Sequence, residues 1–120
     1  MNRRIDLVGI FRLDAANGRT APAFSGSYRP VHKLHDNYLS SGTHVYPDQE
    51  SVSPGESVPV EVMLVSPEVY PGSLWVGRIV EVYEGSRRVG QVEVTEVRNT
   101  VLLGNPADFQ STWSPPPTLR

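Results

Sequence analysis

The sequence predicts an all-β domain, a small antiparallel barrel or sandwich. Three observations carry that reading. Apolar and polar residues alternate at the period of a strand along several short runs. Turn signals separate those runs, roughly every 8–12 residues. No run keeps helical apolar spacing beyond two turns, and prolines and β-branched residues interrupt most candidates.

Residues 5–13 read as the first strand, with Ile5, Leu7, Phe11 and Leu13 on one face and Asp6 and Arg12 on the other. Val8 and Ile10 share the second face, so cover on both sides is expected. Asn17-Gly18 follows, a turn dipeptide because both residues tolerate positive φ. Residues 27–34 form a second strand in which Pro30 marks an edge or a bulge. Residues 37–45 are polar and their pattern is ambiguous. Pro47-Asp48-Gln49-Glu50 is a loop, and Ser53-Pro54-Gly55-Glu56 places Pro before Gly as a type II turn requires. Residues 58–65 alternate, Val58, Val60, Val62 and Leu64 inward, Pro59, Glu61 and Met63 outward. A loop with two prolines spans 67–72. Residues 74–83 give the strongest strand signal, and Glu84-Gly85-Ser86-Arg87 is a hairpin connection. The return strand, 89–97, places Val92 and Val94 on one face and Gln91, Glu93 and Thr95 on the other. Closure into a barrel is favoured because it removes exposed strand edges.

A chain of 120 residues is one domain's worth and buries enough surface to fold without a metal or disulfide staple. With no cysteine, disulfides, thiolate ligands and thiol catalysis are excluded. Eleven prolines and ten glycines make it turn-rich, but 38% apolar residues is too many for a disordered chain. The net charge of −2 excludes a broadly basic nucleic-acid binder, and no DNA partner is expected; a local basic patch stays open. No stretch reaches the roughly 18 apolar residues that span a bilayer, so no membrane partner is expected. Arg3 and Arg4 have no apolar run behind them, unlike a signal peptide, and a cytoplasmic location is expected.

The organisation read from the sequence is a barrel over 1–98 and a Pro-rich C-terminal tail over 99–120. Asn105-Pro106 and Trp113-Ser114-Pro115-Pro116-Pro117 cannot extend a central strand. The tail either packs loosely over the barrel or presents a polyproline segment to a partner. In either case Phe109 and Trp113 are placed to cover an apolar patch.

His32, His35 and His44 with Asp36 and Asp48 invite a metal reading. On a strand, however, His32-x-x-His35 puts the two rings on opposite faces, and zinc needs converging ligands. No Gly-x-Ser-x-Gly elbow is present, and Glu93 and Glu96 fall on different faces. No metal, cofactor or catalytic residue is predicted.

Four segments, in order, resemble the third domain of bacterial elongation factor Tu. Asn17-Gly18-Arg19-Thr20 through Ser25-Gly26-Ser27-Tyr28-Arg29-Pro30 is similar to that domain's Gly-Gly-Arg-His-Thr turn and Gly-Tyr-Arg-Pro-Gln strand. Ser53-Pro54-Gly55-Glu56 resembles its Met-Pro-Gly-Asp turn, and Val62-Met63-Leu64-Val65-Ser66-Pro67 its strand ending in proline. Tyr83-Glu84-Gly85-Ser86-Arg87-Arg88-Val89-Gly90 resembles its Arg-Glu-Gly-Gly-Arg-Thr-Val-Gly hairpin. The resemblance covers roughly residues 5–97 and implies a six-stranded antiparallel β-barrel. A GTPase needs a phosphate-cradling loop ending Gly-Lys-Ser/Thr and an Asn-Lys-x-Asp guanine reader. Neither is present, and Lys33 is the only lysine.

In the family this domain holds the T-stem of aminoacyl-tRNA and meets elongation factor Ts and the GTPase domain. Carried over residue by residue, the resemblance implies a phosphate contact at Arg19, a T-stem-reading carboxylate at Glu84 and a close backbone approach at Gly85. The family's histidine after the turn arginine is Thr20 here, its glutamine after Tyr-Arg-Pro is Val31, and a cation of some members is Ser66. The RNA face is therefore partly kept and partly erased. The resulting expectation is a non-catalytic binding module with its surface at Arg19, Arg29, Glu84, Gly85, Arg87 and Arg88. Its partner would be a translation factor or tRNA. A structural subunit or homo-oligomer, or a decoy of elongation factor Tu interactions, are the competing readings. Outside any binding role, Arg19 is a solvated turn charge, Arg29 pairs with a carboxylate such as Asp14 or Glu84, and Gly85 serves its hairpin.

Overall fold

A computed structural model describes residues 4–15 and 21–110. Among these, the strands in chain order are β1 (Leu7–Leu13), β2 (Ala23–Phe24), β3 (Val31–His35), β4 (Tyr38–Val45), β5 (Ser51–Val52), β6 (Ser57–Leu64), β7 (Ile79–Glu84) and β8 (Arg87–Val97). Six of them close an antiparallel barrel in the order β1-β6-β4-β3-β7-β8, with β8 paired back onto β1. β2 and β5 form a separate two-stranded ribbon that was not foreseen. It buries Ala23 and Val52 against the main core.

The period-two pattern explains the barrel. β6 turns Val58, Val60, Val62 and Leu64 inward, as expected, and each such side chain contributes about 1.5–3 kcal/mol through burial. Pro59 is tolerated because it faces β1 at Ile10, while the β4 ladder reaches only to Glu61. β8 buries Val92 and Val94 against Phe11 and Leu13 of β1 in the same cluster. Where β1 crosses β8 the approach is close: a Cβ at Gly90 would lie 2.1 Å from the Arg12 carbonyl oxygen, so only glycine fits.

Several expectations need correction. The outer face of β1 is not covered, for Ile10 is 38% exposed. Asp6, placed outward by alternation, is 1% exposed. It precedes the strand and lies under the barrel end. There its carboxylate accepts the Leu64 backbone N–H at 2.7 Å, the Asn99 amide at 2.8 Å and Arg4 Nε at 3.1 Å. The strand expected over 74–83 starts only at Ile79. Leu74 instead bridges Leu103 in parallel, and the chain turns at Gly77, whose φ is 96°. The ambiguous 37–45 segment is β4; its pattern was obscure because its inward residues are Ser40, Gly42 and His44.

Residues 99–110 pack on the end of the barrel. Short 3₁₀ turns form at Thr100–Leu102 and Pro106–Asp108, and the Asn99 and Asn105 side chains cap them. Leu102 is fully buried. Phe109 stacks on His35 with centroids 4.6 Å apart. Trp113 and the proline run lie outside the described residues. No helix among the described residues is long and apolar enough to cross a membrane.

Candidate binding rim

The segment before β3 and the β7–β8 hairpin meet at one rim of the barrel. β3 pairs with β7 through Val31 opposite Tyr83 and His32 opposite Val82. Tyr28-Arg29-Pro30 therefore runs beside the end of β7. On its other side the segment is held by β4, whose His44 and Gly42 N–H groups donate to the Tyr28 and Pro30 carbonyls.

Alternation sends Tyr28 and Arg29 to opposite sides. The Tyr28 ring packs edge-on against His44, centroids 5.5 Å apart, and its hydroxyl donates to Glu84 Oε2 at 2.6 Å. Arg87 Nη2 donates to the other carboxylate oxygen at 3.2 Å. The Glu84 carboxylate is thus held on both oxygens. Hydrogen bonds to an ionised group contribute about 1.5–3 kcal/mol, whereas the half-exposed Arg87 adds about 1 kcal/mol at most. Among the described residues Arg29 pairs with no carboxylate, contrary to expectation. Its Nε donates to the Thr43 hydroxyl at 3.2 Å, because Glu84 is engaged by Tyr28 and Arg87, and Asp14 lies by Arg12 at 4.0 Å. Gly85 is the first of the two turn residues and has φ 63°, as a type II′ hairpin requires. Arg88 sits opposite Tyr83 and donates to Gln91 Oε1 at 3.1 Å. Arg19 lies outside the described residues.

The structure thus brings Glu84, Gly85 and Arg87 together with Tyr28. Arg29 and Arg88 flank them, each on an uncharged acceptor. The charge is mixed, with Tyr83 donating to Glu81 at 2.8 Å on the same hairpin.

Directly beneath the rim lies a polar chain that sequence reasoning missed. His32 Nε2 is 2.8 Å from His44 Nε2, both rings buried. His32 Nδ1 is 3.0 Å from the Ser40 carbonyl, and His44 Nδ1 is 3.1 Å from the Tyr46 hydroxyl. The carbonyl can only accept, so His32 Nδ1 carries a proton, and with both rings neutral, as burial favours, the remaining protons follow. His32 Nδ1–H donates to Ser40, His44 Nε2–H donates to His32, and the Tyr46 hydroxyl donates to His44. Both rings are neutral in this arrangement. Burial lowers the His32 pKa to about 4; burial and then His32 itself hold His44 well below the ordinary value. Gly42 makes the room, since a Cβ there would lie 3.0 Å from His32 Cε1. The signal available in the sequence was polar residues at period two, Ser40, Gly42 and His44, in a segment flanked by turns.

His35 is elsewhere. It follows an irregularity in the β3–β4 pairing and stacks between Phe109 and Tyr70 at the end of the barrel. The nearby Arg78 guanidinium lies over Phe109 at 4.7 Å and Trp75 at 5.2 Å. It donates to the Leu34 carbonyl at 2.8 Å and to that of Ser73. Burial lowers its pKa to about 10. Among the described residues no group of three or more His, Asp or Glu side chains is placed to hold a metal ion.

The fold and rim define a closed antiparallel barrel with a charged hairpin at one end. The chain matches no known family model and no curated protein.

Proposed function

We propose that the chain is a non-catalytic binding module, related to the third domain of elongation factor Tu and acting in the cytoplasm. Its partner is a protein of the translation machinery, engaged through Glu84, Gly85, Arg87, Arg29 and Arg88. The observation that carries this reading is the Tyr28–Glu84 hydrogen bond of 2.6 Å, which joins two of the segments that resemble the family. Loops and turns on a rigid scaffold are where binding residues concentrate. The barrel, unlike the β2–β5 ribbon, has no free edge strand to offer, so its turns and outer face are what a partner of the barrel meets.

Protein is favoured over RNA by the charge at the rim. Glu84 is matched to Arg87 and Glu81 lies on the same hairpin, so the surface is mixed rather than a basic stripe. A gel-shift against tRNA at rising salt tests this choice. Absent or salt-independent binding is expected. Tight binding that falls steeply with salt and weakens in Arg29→Ala would replace the protein partner by RNA.

A second reading is self-association, which would cover exposed apolar side chains such as Val65 and Val76. Light scattering decides it: a mass above one chain at micromolar concentration supports an assembly role, and a monomer removes it.

A further inference from the structure

The buried histidine chain touches the rim. Tyr28 is the link, with its ring on His44 and its hydroxyl on Glu84. We propose that the His32/His44 pair is an acid sensor whose protonation is transmitted through Tyr28 to the Glu84-Gly85-Ser86-Arg87 hairpin.

The geometry explains how. At neutral pH each hydrogen bond of the chain carries one proton and all point one way, from Tyr46 through His44 and His32 to Ser40. One added proton on His32 Nε2 must be donated to His44 Nε2. His44 then carries its own proton on Nδ1, and the Tyr46 hydroxyl turns from donor to acceptor. The two bonds from His32 to Tyr46 have reversed while His32 still donates to Ser40, and a cation sits where none was. A second proton sets N–H against N–H across 2.8 Å, which no rotation of the hydroxyl relieves.

The surroundings determine where that cation turns. β1 presents Phe11, with its ring 4.7 Å from His44; β6 presents Val62 and Leu64 beside Gly42. Among the described residues the titratable groups in ring contact with the pair are Tyr28 and Tyr46. Arg29 bonds Thr43, next in sequence to His44 and buried on the opposite face of β4. Glu84 is one ring away, beyond Tyr28, and shares its charge with Arg87. An unmatched cation buried in the core is costly, so its formation favours a movement that admits water, and Tyr28, between the pair and the rim, is the ring that must yield. The depressed pKa values of the two rings agree with the neutral state being the one the barrel holds.

The test is an NMR titration of the full chain, labelled with nitrogen-15 and carbon-13, in steps of about half a pH unit. It runs on the protein alone, so its failure leaves the binding proposal standing. Under neutral conditions His32 is expected as the Nδ1–H tautomer and His44 as Nε2–H. On acidification the two rings and the Gly85 amide should shift with one midpoint. The ratio of moved to held hairpin should rise by up to about tenfold per pH unit for each proton taken up. Two variants leave the histidines in place and separate the causes. In Glu84→Gln the Gly85 response should persist, because the proton goes to imidazole. In Tyr28→Phe the imidazoles should still titrate while Gly85 no longer follows. The proposal is overturned by the opposite tautomers, by a Gly85 response that disappears in Glu84→Gln, or by one that survives in Tyr28→Phe.

Discussion

Lowering the pH should unfold this barrel earlier than its carboxylates alone would. His32 is neutral in the folded protein down to a pKa of about 4 but titrates at about 6.5 once unfolded. Between those values the unfolded chain binds more protons, so stability falls as pH falls. The contribution is complete above pH 6.5. From the linkage relation, His32 alone loses about 1 kcal/mol by roughly pH 5.5 and about 3 kcal/mol once the pH nears its folded pKa. His44 is shifted in the same direction and adds to the loss. Urea midpoints measured in steps from neutral to mildly acidic pH give the slope. The window between the unfolded histidine pKa and about pH 5 separates this effect from carboxylate titration. Replacing both rings, His32→Leu with His44→Leu, should make that window shallower and leave only the contribution of His35, whose pKa burial also lowers. Replacing one alone strands its partner's nitrogen and should cost about 1–3 kcal/mol at neutral pH. An unchanged midpoint across the window in the native chain would refute the neutral, fully bonded arrangement of the pair.

Three further outcomes follow from the packing. Asp6→Ala removes the acceptor for the Leu64 N–H and the Asn99 amide, and urea unfolding should show a loss of about 2–3 kcal/mol. Gly90→Ala should destabilise more than Gly85→Ala by thermal melting. The first drives a Cβ into the Arg12 carbonyl, while the second meets open space and suffers only its positive φ, about 1–2 kcal/mol. Phe109→Ala should remove the ring that covers Arg78 and His35, lowering stability by about 1–2 kcal/mol and shifting Trp75 fluorescence. An unchanged melt and spectrum would show that residues 99–110 do not brace the barrel end.

The strands that alternate cleanly were legible in the sequence. β6 and β8 show inward valines against outward polar residues, and the hairpin at Glu84-Gly85-Ser86-Arg87 is where its turn chemistry puts it. What was not legible depends on tertiary partners. Asp6 looked outward because the residues that satisfy it, Leu64 and Asn99, are far along the chain. β4 was ambiguous because its inward positions hold Ser40, Gly42 and His44, a polar interior that periodicity built on apolar residues cannot register. The start of β7 was placed too early because Leu74 and Trp75 carry strand-like composition. They serve instead the contact with Leu103 and the cover over Arg78. Of the rim, Glu84, Gly85 and Arg87 are neighbours in sequence and meet at one hairpin. The partner of Glu84 is Tyr28 rather than Arg29, since neighbouring residues on an extended segment face opposite ways.

The rim's role is tested most directly by site-specific photocrosslinking in the native cell. A crosslinking residue at Ser86, on the hairpin turn, is compared with one at Ile10, on the exposed outer face of β1. Crosslinks to a translation protein are expected from position 86, lost when Arg87→Glu is added, and absent from position 10. Identical crosslinks from both positions, or crosslinks at 86 unaffected by Arg87→Glu, would contradict a partner surface at this rim.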